Sequence, residues 1–187
     1  MEHSYIQNLE ETPSQNIVII FALLSAVASI IIWMLMRPTE AALKAVSPYG
    51  VMELEFAWTA EKINQIFNTW TDDLVAQELN VTLVDFGFLV AYSIFLASVT
   101  LLISRKLLSG QIQLIGLYMT LIPFVAALFD ALENFNLILM LSSPTNFPPF
   151  SPLLASIFAS LKFGLIIIVV IFWIVSILWF IYQRFSK

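Results

Sequence analysis

Four ionisable residues, Asp85, Asp130, Glu133 and Lys162, lie within or beside long apolar stretches of the chain, where charged groups usually have a partner or a purpose. Asp130, Glu133 and Asn134 stand at positions i, i+3 and i+4, so on a helix they share one face. Two carboxylates on one face repel each other unless one is protonated or a cation is near. Lys162 is the cation that the next apolar stretch supplies. The spacing therefore predicts an acidic site with a lysine partner.

Three acids against one lysine leave this site with net negative charge. Such a site could hold a proton, a metal ion or an organic cation, or it could contain a protonated carboxylic acid that moves protons. The alternative is structural, since polar side chains often bridge helices and set their register in membrane bundles. For Asp85 a further alternative is an acid at the N-terminus of its helix, where the helix dipole favours negative charge. Both alternatives stay open from the sequence.

The apolar composition of the whole chain indicates that it folds in a lipid membrane. Of 187 residues, 60% are hydrophobic and 11% are charged, against about half and about a quarter in soluble domains. Apolar runs at about 17–36, 83–104, 112–141 and 153–182 are each long enough to cross ~30 Å of hydrocarbon at ~1.5 Å per residue. The prediction is an all-α polytopic membrane protein with a four-transmembrane-helix bundle.

The rest of the chain is arranged around these spans. Residues 1–16 are predicted to be a polar N-terminal tail, and 17–187 a single four-helix membrane domain. Arg37-Pro38 is expected to end the first span, and Pro123 to bend the third. An even number of spans places both termini on one side, and the lysines and arginines there indicate the cytoplasm. We expect a multi-pass protein of the cell membrane.

A polar segment at about 51–71 predicts one additional amphipathic interfacial helix. Its apolar positions recur every three or four residues, as helical periodicity requires. The segment is too polar to span and is expected to lie at the interface or across the bundle ends. Chain direction brings Asp85, Asp130, Glu133 and Lys162 to that same side, so Glu53 and Glu55 could cover the acidic site. The alternative for these two acids is a solvated helix face.

Three short motifs carry a resemblance. They are Glu53-Leu-Glu-Phe-Ala57, Asp85-Phe-Gly-Phe88 and Asp130-Ala-Leu-Glu-Asn134. Together with a lysine in the fourth span, they resemble motifs in a group of small four-span prokaryotic integral membrane proteins. The resemblance covers most of the chain from about Tyr49 onward and implies the four-span architecture, without implying an activity.

Several functions are disfavoured by composition. The chain has no cysteine and a single histidine, His3, which argues against thiolate or histidine metal centres and against histidine catalysis. A net charge of −5 without a basic stripe argues against nucleic-acid binding.

The leading prediction is a non-enzymatic membrane protein that binds or transports a small cationic or lipidic ligand. Its candidate ligand- or ion-binding residues are Asp130, Glu133, Asn134, Asp85, Lys162 and Glu53. One alternative is an accessory subunit of a larger membrane complex. Another is an enzyme that modifies a lipid or isoprenoid with a buried carboxylic acid. Membrane lipid is the expected partner, with a homo-oligomer or larger complex left open, and no cofactor or metal is assigned.

Overall fold

The computed structural model describes Ile6 and residues 8–185, so part of the predicted N-terminal tail, including His3, lies outside the described residues. The described residues are helical, without a strand. The helices are α1 (Gln15–Val46), α2 (Val51–Glu55), α3 (Ala60–Phe67), α4 (Asp72–Leu107), α5 (Gly110–Met119), α6 (Ile122–Ser142) and α7 (Ser151–Phe185).

Four helical stretches are long and apolar enough to cross a membrane, which confirms the predicted fold class. They are α1, α4, α7 and the stretch Gly110–Ser142 that combines α5 and α6. Each has 32 to 36 residues, about 50 Å at ~1.5 Å per residue, and therefore exceeds the ~30 Å of the hydrocarbon layer. The spans predicted from hydropathy lie within these stretches, and the excess residues extend them with more polar turns.

Helix α1 does not end at Arg37-Pro38, where the sequence predicts the end of the first span, but continues through Pro38 to Val46. A proline inside a helix removes one backbone hydrogen bond, and the contacts beyond it must compensate. Leu43, one of those later residues, is fully buried in a hydrophobic core. Lys44 pairs with Glu40 at 2.6 Å, an i, i+4 pair that supports the last turns.

The third span is interrupted where the sequence predicts a bend. Helix α5 ends at Met119 and α6 begins at Ile122, with Pro123 at its second position. The first N–H groups of a helix have no intrahelical acceptor, so the missing N–H of proline is tolerated there. Turn hydrogen bonds close the gap, including Leu121 N–H to the Tyr118 carbonyl at 3.0 Å.

The amphipathic segment is divided into α2 and α3 instead of forming one helix over 51–71. Trp58 has φ of 63°, in the left-handed region that a bulky residue rarely adopts, and this conformation cannot continue a right-handed helix. Thr59 then begins α3 by accepting a hydrogen bond from Lys62 N–H at 3.2 Å. Helix α3 is amphipathic as predicted and buries Ile63, Ile66 and Phe67.

Two compact units divide the described residues. Unit 1 takes those within Met1–Val27, Ala91–Ala126 and Phe163–Lys187, and unit 2 comprises Ala28–Val90 and Ala127–Lys162. Every membrane-spanning stretch contributes residues to both units, so the prediction of a single membrane domain over 17–187 stays a prediction. In unit 2 the hydrophobic core joins α1, α2, α3, α4, α6 and the start of α7.

Close helix packing within unit 1 depends on a glycine. A methyl group at Gly116 would overlap the Ser104 hydroxyl and lie 2.9 Å from Ser104 Cβ and 3.1 Å from the Phe172 ring. The Ser104 hydroxyl donates to the Thr100 carbonyl at 2.7 Å, which fixes its position. In contrast, a methyl group at Gly164 would meet no atom of the described residues within 4 Å.

We predict that Gly116→Ala destabilises the protein by about 1–3 kcal/mol because it overfills this contact. Gly164→Ala is the matched control and should leave the stability unchanged or raise it by up to ~1 kcal/mol, since alanine favours helix over glycine. The melting temperatures of both variants in mild detergent test this. Equal shifts for the two variants would contradict it.

Candidate functional site

The site is built around the ammonium group of Lys162 on α7. Its Nζ lies 2.9 Å from Asp130 Oδ1, 2.7 Å from Glu133 Oε2 and 3.8 Å from Glu55 Oε1. Asp130 and Glu133 come from α6 and Glu55 from the last residue of α2. Three carboxylates from two helices thus surround one lysine, and all of these residues belong to unit 2.

A second polar contact extends this group. The Asn134 side-chain amide donates to Asp85 Oδ2 at 2.6 Å, which links α6 to α4. Asp130, Glu133 and Asn134 thus share one face of α6, as predicted, and this face contacts Lys162 and Asp85. We refer to Glu55, Asp85, Asp130 and Glu133 as the acidic cluster.

Asp85 is not the N-terminal acid that the sequence allowed. Helix α4 begins at Asp72, so Asp85 stands more than three turns inside it, and Asp72 and Asp73 occupy the first turn. The hydropathy pattern placed the start near residue 83 because the preceding turns are polar. Those turns are helical because one side of them, including Leu74 and Val75, is buried in the core of unit 2.

Glu53 does not join the acidic cluster, which corrects the sequence prediction. Its Oε2 accepts the Gly50 N–H at 2.7 Å, so this acid caps the start of α2. Residues two positions apart on a helix point about 200° apart, and Glu55 is therefore the acid directed at Lys162. The sequence predicted that Glu53 and Glu55 could cover the acidic site, but it could not decide which of the two is directed at Lys162.

Ser156 on α7 holds Glu55 and the following turn in place. Its hydroxyl donates to the Glu55 carbonyl at 2.8 Å and accepts the Trp58 N–H at 2.9 Å. These two bonds satisfy backbone groups at the turn where Trp58 is left-handed. Sequence reasoning missed Ser156, because a serine in an apolar helix carries no signal of this role.

Burial increases from Glu55 inward. The side chain of Glu55 is 12% exposed, that of Asp130 is 4% exposed and that of Glu133 is fully buried. Among the described residues, no donor forms a hydrogen bond with Glu133 Oε1 or with Glu55 Oε2. Lys162 forms an ion pair with each of the three acids, Glu55, Asp130 and Glu133. The site therefore has more carboxylate charge than its own cation balances.

The pKa of Glu55 reports this environment. Burial raises it from its ordinary value of 4.5 to about 7, the nearby Lys162 ammonium opposes the rise, and the Asp130 and Asp85 charges add to it. A group that titrates near neutral pH can take up and release a proton under physiological conditions. Glu55 is thus the member of the acidic cluster suited to exchange protons.

Glu78 on α4 is a further buried acid that the sequence prediction missed. It is 2% exposed, and its Oε2 has no hydrogen-bond partner among the described residues. Glu78 precedes Asp85 by about two helical turns, so both lie on one face of α4. This spacing is a signal only once α4 is known to begin at Asp72.

No group of three or more His, Cys, Asp or Glu in the described residues is arranged to hold a metal ion. Comparison of the chain with protein-family models, with curated proteins and with solved structures gives no match. The resemblance to four-span prokaryotic membrane proteins stays a prediction, and the site is interpreted from its own geometry.

We predict that Glu55 makes stability depend on pH. The pKa of Glu55 is higher in the folded chain than in the unfolded chain. Its contribution to the free energy of unfolding is therefore fully present below pH 4.5 and is lost as the pH rises through about 7. One pKa unit is ~1.4 kcal/mol, so the wild type should lose about 3 kcal/mol relative to Glu55→Gln over this range.

The measurement is the melting temperature of both proteins at pH 4.5 to 8. Glu61→Gln is the control, since Glu61 is exposed and its pKa is lowered by its own backbone N–H and by Thr59. Parallel pH profiles for wild type and Glu55→Gln would show that Glu55 does not titrate in this window.

Proposed function

We propose that this protein binds a small organic cation at the acidic cluster and releases a proton as it does so. The observation that carries the proposal is the fully buried Glu133, neither of whose carboxyl oxygens accepts a hydrogen bond from the described residues, although Oε2 lies 2.7 Å from Lys162 Nζ. An unused carboxylate oxygen beside an incompletely balanced group of acids is a binding position for positive charge. The binding would be that of a receptor or the first step of transport.

Charge balance supports the exchange of a cation for a proton. With Glu55, Asp130 and Glu133 ionised against Lys162 alone, the group would carry two excess negative charges in a poorly solvated place. Uncompensated buried charge is costly, so buried acids become protonated or acquire a counter-ion. A cation that enters would supply the missing charge, and a proton would leave in its place.

The chemistry of the cation is suggested by Lys162 itself. Its alkylammonium donates a charge-assisted hydrogen bond to Asp130 Oδ1 at 2.9 Å and forms an ion pair with Glu133 Oε2 at 2.7 Å. Glu133 Oε1 and Glu55 Oε2 would offer a second ammonium the same kind of acceptor. A protonated primary amine with a short apolar chain fits both these oxygens and the membrane setting.

Access is favoured from the side of Glu55. It is the most exposed acid of the group around Lys162, at the end of the short helix α2. Three residues later, the Trp58 side chain is 44% exposed. Aromatic rings attract organic cations, so the exposed Trp58 ring would offer the ligand a first contact.

The proposal includes a location and partners for the protein. The protein is multi-pass, and we place both termini in the cytoplasm and the protein in the cell membrane with lipid as its partner. A homo-oligomer or larger complex is compatible with it. The accessory-subunit and lipid-enzyme alternatives are outcomes of the experiment below.

The test uses n-butylammonium, which has the four-carbon chain and the ammonium group of a lysine side chain. We expect saturable binding to the wild type in mild detergent by calorimetry. Buffers of different ionisation enthalpy should reveal release of a proton near pH 7. Glu133→Gln replaces the carboxylate with a neutral amide and should weaken binding at least about tenfold, the loss expected for a charge-assisted contact.

Glu61→Gln is the control and should bind like the wild type, since Glu61 is exposed on α3. If the wild type does not bind and Glu133→Gln only lowers the melting temperature, the acidic cluster joins helices and the accessory-subunit alternative leads. If mass spectrometry instead finds a lipid or isoprenoid that co-purifies with the wild type and is lost in Glu133→Gln, the enzyme alternative leads.

A further inference from the structure

Unit 1 contains an apolar groove of about 330 Å³, and every residue that lines it belongs to that unit. Helix α4 contributes Ile94, Ala97, Ser98 and Leu101, which stand at positions i, i+3, i+4 and i+7 and therefore share one helix face. Cavities that hold small molecules have volumes of roughly 300–1,000 Å³. The groove is thus large enough for part of a flexible apolar ligand.

The lining of the groove suits a hydrocarbon chain. Val18 and Leu101 in it are buried, whereas Phe21 and Phe124 are about half exposed, so the groove has a buried floor and an open edge. Thr120 is one of its two polar residues, and the Thr120 hydroxyl already donates to a backbone carbonyl of α5 at 3.2 Å. An apolar chain would enter past the exposed phenylalanine rings.

A positive charge lies at one end of the groove. Arg105 follows Leu101 by four residues on α4, and its Nη1 donates to the Pro13 carbonyl at 2.8 Å. Pro13 and Leu101 both line the groove, so the guanidinium lies at its margin. Arg105 Nε also donates to the Leu9 carbonyl at 2.7 Å. These two bonds fix the guanidinium beside the groove.

The described residues do not neutralise the charge of Arg105. None of their carboxylates forms an ion pair with it, and Arg105 Nη2 has no hydrogen-bond acceptor among them. The two acceptors that Arg105 does have are neutral carbonyl groups. A guanidinium presents its N–H groups in a planar fork that matches phosphate oxygens. A phosphate group would supply both an acceptor and the missing negative charge.

The length of the groove matches one leaflet of a membrane. Ile94 precedes Arg105 by eleven residues, which is ~16 Å along a helix and about three turns, so both residues lie on one face of α4. Half of the hydrocarbon layer is ~15 Å thick. A chain that follows this face from Arg105 to Ile94 would therefore reach about the middle of the membrane.

We propose that the groove binds an anionic glycerophospholipid, with one acyl chain along α4 from Leu101 to Ile94 and the phosphate at Arg105. The groove supplies the apolar contact and the guanidinium selects the headgroup charge. This site is independent of the proposed cation binding, because the groove belongs to unit 1 and the acidic cluster around Lys162 belongs to unit 2.

A binding test compares two lipids that differ only in their headgroups. Delipidated protein in a neutral detergent is titrated with dioleoyl phosphatidylglycerol or dioleoyl phosphatidylcholine, and native mass spectrometry measures the bound fraction. We expect one phosphatidylglycerol per chain, bound at least about tenfold more tightly than phosphatidylcholine, as for a charge-assisted contact. Equal affinities for the two lipids would overturn the proposal, since no headgroup charge would then be recognised.

Two variants separate the site from general attraction to positive charge. Arg105→Gln should lower the affinity for phosphatidylglycerol about tenfold and remove the preference over phosphatidylcholine. Lys106→Gln is the matched control, because it removes the same charge from the neighbouring exposed residue. It should change the affinity by less than about threefold. Equal losses for the two variants would refute a site at Arg105.

A crosslinking test uses the wild type and so does not depend on the folding of a variant. A phosphatidylglycerol with a diazirine in one acyl chain loses nitrogen on illumination and inserts into neighbouring bonds, and mass spectrometry locates the product. We expect products at Ile94, Ala97 or Phe124 that excess phosphatidylglycerol suppresses and phosphatidylcholine does not. Products spread evenly over the exposed faces of α1 and α7 would indicate bulk lipid, and a dimer that excludes the probe would indicate a second copy in the groove. Either result would contradict the proposal.

Discussion

The position of one ammonium group among several carboxylates controls the interior of unit 2. Lys162 lies within 2.7 to 3.8 Å of Asp130, Glu133 and Glu55, residues of α6 and α2. Removing one partner of a buried ion pair typically costs about 3–5 kcal/mol, because the other charge is left without compensation. The lysine must therefore stay where α7 places it, and the acids must stay near it. The same constraint leaves the acids in excess, and this excess is the basis of the proposed cation binding.

The segment between the first and second spans is adapted to this constraint. A continuous helix over 51–71 would have no turn at Trp58, whereas the observed division into α2 and α3 places Glu55 at a helix end. Ser156 compensates the irregular backbone by bonding both the Glu55 carbonyl and the Trp58 N–H. The left-handed conformation of Trp58 costs about 1–2 kcal/mol for a residue with a side chain. It persists because the neighbouring contacts require the turn.

Much of this arrangement could be predicted from local patterns. The helical spacing of Asp130, Glu133 and Asn134, together with chain direction, was sufficient to expect them near Lys162 and Asp85, and the structure brings these residues together. Glu53 was named as a candidate site residue, but it is Glu55 that lies beside Lys162, because periodicity within a short amphipathic segment does not decide its rotation. Glu78 was missed, because helix α4 begins at Asp72, about eleven residues before the apolar run from which the second span was predicted.

The sequence by itself determined the helical membrane architecture, since long apolar runs in a chain of this composition have no other stable solution. It also predicted that Asp85, Asp130, Glu133 and Lys162 lie near one end of the bundle, because successive spans run in opposite directions. Only the tertiary structure decided that α1 continues past Pro38, that Glu55 turns inward, and that Glu78 is buried without a partner among the described residues. These outcomes depend on burial and hydrogen bonds between segments that are distant in the sequence. The free energy of such contacts cannot be inferred from a local sequence pattern.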